Sequence, residues 1–575
     1  MNVKAAQPKI LIIGAREIVK LKVGVIILTL LENARMALRY DPLGRNYFKR
    51  KSTIKYQDSM EEKSVERHFF VALLIVTLTG ALALSFSIKP VKGATATVYI
   101  RADGSIDPVT APISSVDKVT YTFVGDLLEW RIIIERDNIV LDGCDHTLQG
   151  TGDGSGISLS GRSNIVIKSV NIKNFYFGIS LSGSSNISIS GNNITANNGY
   201  GIWLYHSNHN IIDGNNIANN GWGIVLNQGE GNVISGNNIT SNSGDGILFW
   251  DSSSNEIFKN IITANGVNGI QFHWTGNPYA STDYNIIIGN NILCNEQGIW
   301  LNFSNYNVIS QNNITANNWH GIILYQSNHN TVCSNYIAAH NKSGVWRGYL
   351  NARSKGLWLL SSNENTIYHN NFINNREQTG VSPGYSNTWD NGFPSGGNYW
   401  SNYKEAYPDA MEFDDSKIWN RPYLIDGYNS DRYPLMAPFC TFSAGIWNGV
   451  AYNIDIISNS TVSEFFFDPN EGPFIRFDVT GPEGTTGFCR VTIPNNLLWV
   501  DDGWKIFVGG EPVNYTLIPY ENYTYLVFTY NHSIKTVEIQ GTHAIPEFHS
   551  ALIMLFFMLV TLIVAILLEK GKMQF

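Results

Sequence analysis

The sequence predicts an all-β chain: a right-handed parallel β-helix, a solenoid of about ten coils, followed by a β-sandwich module and flanked by N- and C-terminal hydrophobic helices. Three observations carry this. A Gly followed by an apolar residue returns at nearly constant spacing through the middle of the chain. The 575 residues are poor in charge (15%) and rich in Gly (52) and aromatic residues (12%). Two uncharged apolar runs bracket the rest.

The Gly-apolar pair stands at Gly156, Gly178, Gly201, Gly223, Gly246, Gly269, Gly298, Gly321 and Gly356, in steps of 22, 23, 22, 23, 23, 29, 23 and 35 residues. The two long steps hold insertions, over 275–281 and around 341–355. Each repeat contains two apolar alternations separated by Asn/Gly/Ser corners, residue types that tolerate left-handed backbone and bond their own main chain. Period-2 alternation puts Ile202 and Leu204 on one face of a short strand and Trp203 and Tyr205 on the other. One such unit cannot bury its apolar face. Stacked coils bury it through inward columns, here Ile202, Ile224, Ile247, Ile270, Ile299 and Ile322. A second periodic set, Asn210, Asn232, Asn255, Asn285, Asn307, Asn330 and Asn365, reads as an inward ladder of amides spaced about 4.8 Å apart. The Leu-x-x-Leu-x-Leu pattern of leucine-rich repeats is absent.

The flanks suggest export. Residues 69–86 are apolar and uncharged, follow Lys63 and Arg67, and precede Ala94-Thr95-Ala96, a small-residue cleavage pattern. Residues 551–568 are uncharged and followed by Lys570 and Lys572, long enough to nearly cross a bilayer and oriented with the basic tail inside. The expected organisation is therefore a basic extension (1–59, with Met60 as an alternative start), a signal peptide or signal anchor (60–96), an N-terminal cap (97–150), the repeats (151–375), a C-terminal cap (376–436), a β-sandwich module (437–545), and an anchor (546–575). The body is expected to be extracytoplasmic, at the cell surface and membrane-anchored, where it binds carbohydrate or serves a structural role in the envelope. Residues 1–68 carry 14 Lys/Arg against 7 Asp/Glu, which leaves −15 of the overall −8 to the rest of the chain. So acidic a body repels phosphate backbones, and nucleic acid is not expected as a partner. Five cysteines make no disulfide framework; a Cys440–Cys489 bridge and two free thiols are the alternatives. Sequons Asn459, Asn514, Asn522 and Asn531 are the better glycosylation candidates, because those in the repeats arise from the recurring Asn-Ile-Thr.

These repeats resemble the parallel β-helix repeats of the NosD-like family, named for the periplasmic accessory protein of nitrous oxide reductase. The run Ile132 to Gly143 looks like the family's first strands. Asn387 to Tyr403, with Arg421 to Asp426 and Asp431 to Met436, looks like its C-terminal cap. The Asp/Gly run of many relatives is replaced here by Asp414-Asp415-Ser-Lys-Ile-Trp-Asn, which keeps two candidate cation ligands but loses the glycines of a tight oxygen cage. Residues 437–545 are similar to β-sandwich modules that precede anchors in archaeal surface proteins. Pro546-Glu547-Phe548 resembles the sorting signal of such proteins, which implies a sortase-like processing enzyme as a partner.

The outward positions of the Gly-Ile strands are where chemistry is expected. One column runs Ser158, Ser180, Trp203, Val225, Leu248, Gln271, Trp300, Ile323, Trp358; the next runs Ser160, Ser182, Tyr205, Asn227, Trp250, His273, Asn302, Tyr325, Leu360. Aromatic rings among Asn and His suit the apolar faces and hydroxyls of sugars. Trp203, Tyr205, Trp250, His273, Trp300, Asn302, Tyr325 and Trp358 are therefore the candidate glycan-binding residues, with coverage of the face by an insertion as the alternative. No cofactor is expected. A polysaccharide lyase, epimerase or hydrolase is the enzyme alternative; hydrolysis needs two carboxylates on one cleft, and the columns hold none, although Asp245, Asp251, His206 and His273 lie nearby. Copper handling, which the resemblance implies, would fall to His206 and His209.

Overall fold

The computed structural model describes residues 96–277, 280–346 and 349–545. The basic extension, the signal segment up to residue 95, and the Pro-Glu-Phe motif with its following apolar run lie outside these residues. Among the described residues no helix is long and apolar enough to cross a membrane, and the one-turn Tyr403–Ala406 is the only α-helix.

Three long sheets, of 13, 12 and 12 strands, run along the solenoid. One coil passes through Tyr200–Tyr205 in the first sheet, Ile211–Asp213 in the second and Asn216–Ala218 in the third, then returns to the first at Trp222–Asn227. Each strand pairs in parallel with the strand one repeat later: Ile202 with Ile224, Ile212 with Ile234, Ile217 with Ile239. The solenoid makes about eleven turns rather than ten, because Trp130–Ile134 and Glu377–Val381 extend the first sheet beyond the Gly-marked coils. The insertion at 341–355 forms an antiparallel hairpin, Ser343–Trp346 with Tyr349–Arg353.

The expected inward column is fully buried, every one of Ile202, Ile224, Ile247, Ile270, Ile299 and Ile322 being inaccessible, as are the Ile columns of the other two sheets. Each such side chain contributes about 1.5–3 kcal/mol of transfer free energy. The Gly preceding this Ile is required by packing. A Cβ on Gly201 would sit 2.7 Å from the Gly223 carbonyl oxygen and 2.8 Å from Ile217 Cγ2, so adjacent coils could not close up.

The expected Asn ladder is present: from Asn210 to Asn365 each Nδ2 donates to the Oδ1 of the next coil's Asn at 2.9–3.1 Å. Two further ladders run beside it. One climbs from Asn192 through Asn215, Asn237 and Asn260 to Asn370 and Asn398, the other from Asn197 through Asn220 and Asn242 to Asn317. Each amide also serves the bends. Asn237 Oδ1 accepts the Asn215 backbone N–H at 2.9 Å, and its Nδ2 donates to the Ile212 carbonyl at 2.8 Å. In the third ladder His340 takes the place of an Asn. Its Nδ1 lies 3.2 Å from the Asn317 carbonyl and its Nε2 3.1 Å from that of Ile314, and burial lowers its pKa to about 4.

Both ends of the solenoid are covered. Ile106–Asp107 folds antiparallel onto the opening strand Ala96–Ile100. At the other end Trp389 and Trp400 are buried over the core, with Trp400 stacked between Phe372 and Tyr423 at 4.5 and 4.2 Å. Residues 439–544 form two five-stranded antiparallel sheets around a second core. Cys440 and Cys489 are free thiols. The strand Val450–Ser458 runs between theirs, a separation of about two strand spacings that a disulfide cannot span.

Two consequences are open to measurement. Asn237→Leu removes one amide but strands the Asn215 N–H and the Ile212 carbonyl, so a loss of at least about 3 kcal/mol is expected in urea unfolding. His340→Asn restores the ladder residue. The neutral, buried imidazole refuses a proton that the unfolded chain takes up below pH 6.5, so it withdraws up to about 3 kcal/mol of stability as pH falls from 6.5 through 4. The variant is therefore expected to lose less stability than the parent between pH 7 and pH 4, in paired denaturation curves.

Candidate functional site

The registers hold both outward columns together across the first sheet. Trp203 lies beside Ser180 and Val225, Tyr205 beside Asn227, and Asn227 beside Trp250; Gln271 lies beside Trp300, His273 beside Asn302, and Ile323 beside Trp358. A third outward column, which the sequence reading missed, occupies the position just before the Gly. Phe177, Tyr200 and Trp222 stack there, with ring centroids 5.3 and 5.2 Å apart and interplanar angles of 13° and 24°. The signal was available, since these residues are separated by 23 and 22 positions, the period of the repeat. It was lost by taking the Gly as the start of the strand, whereas the strand begins one residue earlier.

The three columns merge into one aromatic platform over the first half of the solenoid. Trp203 packs 4.9 Å from Tyr200 and 5.9 Å from Phe177. Trp203 and Trp250 meet at 5.8 Å by leaning over the intervening strand, which is why Val225, outward by alternation, is completely buried. Tyr205 remains 40% exposed at the edge, against His206. The platform rings are half-buried.

The second half of the face is different. Trp300 and Trp358, expected to face solvent, pack with Leu360 and with Ala352 of the inserted hairpin around buried Trp319 and Ile323. His320 lies 4.7 Å from the Trp358 ring, and burial drops its pKa to about 3, with Lys355 and His340 adding to the shift. The insertion therefore covers this part of the face, and Trp300 and Trp358 belong to a packed cluster. Between the two halves His273 Nδ1 lies 2.6 Å from Asn302 Nδ2, and Tyr325 meets the edge of Phe303 at 5.6 Å.

The acids near the face are committed to local structure. Asp245 is 4% exposed and accepts the Asn268 backbone N–H at 2.9 Å and its side-chain amide at 2.7 Å. Asp251 is similarly buried and accepts both the backbone N–H and the hydroxyl of Thr275. It lines an open depression of about 620 Å³ with His206 and Glu230 at the corner between the first and second sheets. Among the described residues no group of three or more His, Cys, Asp or Glu is placed to hold a metal. His206 and His209 sit exposed at left-handed corners, and Asp414 and Asp415 form an exposed left-handed turn. The four sequon asparagines of the sandwich are exposed, although Asn459 already bridges Thr486 and Phe488. In the repeats Asn193, Asn238 and Asn313 donate to the Asn of the preceding coil and so form outer ladders.

Residues 137–292 match the family described as the right handed beta helix region, and residues 273–405 match the family described as periplasmic copper-binding protein (NosD). Together these matches support a NosD-like right-handed β-helix. The NosD match spans the last coils and the first part of the cap, the region that carries the closing resemblance. No curated protein matches the chain. Among solved structures, the mannuronan C-5 epimerase AlgE6 A-module of Azotobacter vinelandii is 15% identical, over 47% of this chain and 87% of that one, with a TM-score of 0.34. An alginate lyase of Paenibacillus sp. is 14% identical, over 40% and 87%, at 0.22. A DFA-IIIase of Arthrobacter chlorophenolicus is 14% identical, over 47% and 69%, at 0.31. Likenesses at this level carry no statement about activity.

The divided face predicts divided phenotypes. Trp358→Ala opens a cavity in a packed cluster and is expected to cost about 3–5 kcal/mol. Trp203→Ala, on the platform, is expected to cost less than half of that; thermal unfolding of the two variants side by side checks the order.

Proposed function

We propose that this protein binds a glycan chain along the aromatic platform of its solenoid. The observation that carries the reading is the contiguous array of Phe177, Tyr200, Trp203, Trp222 and Trp250 on one rigid sheet face. Phe177, Tyr200 and Trp222 stack on one another and so turn their edges outward, while Trp203 and Trp250 are inclined to them; together they offer an apolar strip to a sugar chain at little entropic cost, because the scaffold has already ordered the rings. Asn227 and Gln271 stand in the adjoining columns, and Tyr205 at the margin, to take hydroxyl hydrogen bonds. Binding rather than cleavage is the reading, since Asp245 and Asp251 are spent on neighbouring backbone and side chains.

In this reading the protein works outside the cytoplasm, held at the cell surface by its apolar C-terminal run and open to processing by a sortase-like enzyme. Support comes from the uncharged runs at 69–86 and 551–568 and from the periplasmic description of the family matched over 273–405. A copper role is not favoured, because among the described residues no group of three or more His, Cys, Asp or Glu is placed to hold a metal.

Retardation in native gels containing neutral polysaccharides tests the platform. Trp203→Ala and Trp222→Ala are each expected to weaken retention at least about tenfold, ~1.4 kcal/mol, and together to abolish it. Trp300→Ala is expected to leave it unchanged. Equal retention of the Trp203/Trp222 double variant and the parent rejects the platform.

A further inference from the structure

The sandwich carries an unassigned groove of about 940 Å³ on the outer face of one of its sheets. On that sheet Ile475, Phe477, Val479, Ile506, Val508, Val537 and Ile539 point into the core, so the residues between them face out. One outward row crosses four strands: Phe466 beside Arg476, Arg476 beside Glu538, Glu538 beside Phe507. The row places an aromatic ring at each end of a pair of opposite charges. The end rings are about three strand spacings apart, roughly 14 Å.

Among the described residues no ion pair joins these two charges. Arg476 lies over the Phe466 and Phe474 rings at 5.0 and 5.6 Å, and none of the ion pairs among the described residues uses it. Glu538 instead accepts from Gln540 Nε2 at 2.6 Å. Each charge is steadied from the side, which keeps a donor and an acceptor available in the floor of the groove. Asp478, bonded to the Thr536 hydroxyl at 2.7 Å, continues the polar floor. The strand bearing Phe466 is bulged between Ser463 and Phe466, with Glu464 at a φ of +50°. The bulge lets Phe465 and Phe467 both turn toward the core and sends Phe466 outward, re-aiming one side chain at a local cost in strain.

We propose that this face is a second carbohydrate site, separate from the solenoid platform, which takes a neutral oligosaccharide of about three units lying between Phe466 and Phe507. Terminal rings with donors and acceptors of both signs between them match a ligand with apolar faces and many hydroxyls. Glu464, Asp478 and Glu538 outnumber the cations Arg476 and Lys505 on this face, so uronic-acid chains are disfavoured.

The experiment titrates the full-length chain with hexasaccharides of glucose, mannose and galactose, and with a hexuronate, by calorimetry. A neutral hexasaccharide is expected to bind with one component that Phe507→Ala and Phe466→Ala weaken at least about tenfold, that Phe507→Trp retains, and that Trp222→Ala leaves alone. The proposal is overturned if neither Phe variant changes binding, if no neutral hexasaccharide binds, or if the hexuronate is preferred. It is also overturned if sedimentation shows that Phe466→Ala only abolishes self-association, which would make the face a contact between copies. Failure of the platform reading looks different: Trp203→Ala and Trp222→Ala without effect, while Phe507→Ala still acts.

Discussion

From Asn192 to Asn398 each coil of the solenoid carries an asparagine amide into a dry interior, and those coils hold their register because the amides meet. A parallel β-helix must turn sharply between its sheets, and the turning residues leave main-chain groups that no sheet ladder pairs. Here the Asn side chains pair them. Asn237 Oδ1 accepts from two donors of the coil before it, and its Nδ2 serves the Ile212 and Ser235 carbonyls as well as Asn260. An isolated buried amide costs several kcal/mol, so a ladder stabilises only when it is continuous and properly terminated. The termination explains the composition of the cap. Asn387 passes its N–H to Asn429, and Asn398 passes its own to Asp431. Asn429 and Asp431 also accept the indole N–H groups of Trp389 and Trp400, the rings that close the core. The cap thus ends the hydrogen-bond columns and the hydrophobic column with the same few residues.

Once register is fixed inside, the outside is free to vary. The outward residues of the first sheet bear little of the fold's cost, yet the ladders hold them at constant spacing. This is why one solenoid supports two unlike surfaces. From Phe177 to Trp250 outward positions are held by large rings that shield each other and the residues beneath them, Val225 among them. Over the later coils an insertion folds down, and Trp319, Ile323 and Trp358 become the core of that contact. The same residue type therefore stays half-exposed in one place and packs in another, and only the neighbouring coils decide which.

This division also marks the limit of what periodicity reveals. Spacing of 22 or 23 was enough to place Ile202 to Ile322 inside and Asn210 to Asn365 in a ladder, because the period resumes in step after each insertion. The second and third ladders were hidden by abundance. In a corner such as Asn215-Asn216, one amide points in and the next points out, and composition does not separate them. Phe177, Tyr200 and Trp222 were hidden by a strand that begins one residue before its Gly. The fate of Trp300 and Trp358 was not legible, since where an insertion lies down is decided by long-range packing. The groove on the sandwich depends on a bulge, and a one-residue shift of alternation is invisible without the partner strand.

The sandwich is held to the solenoid by an arrangement that sequence would not suggest. Arg490 is completely buried, and burial lowers its pKa to about 10. Its guanidinium donates to the carbonyls of Pro394, Ser395 and Ser416, all in the solenoid's cap, and lies 4.6 Å from the Tyr525 ring. Asp455 contributes at longer range, and burial raises its own carboxyl to about 6. A buried cation held by peptide oxygens and a ring is costly to withdraw, because separation would leave those carbonyls and the guanidinium without partners. A second, cheaper contact reinforces it: Asn371, at the last coil of the third sheet, exchanges two hydrogen bonds of 2.7 Å with the backbone of Phe439. The module is therefore docked by directional polar bonds and not by apolar area alone. For a chain that offers one aromatic surface on its coils and another on its sandwich, such docking sets a fixed distance between them. Whether one long polymer gains from both surfaces is then a matter of that distance and not of linker flexibility.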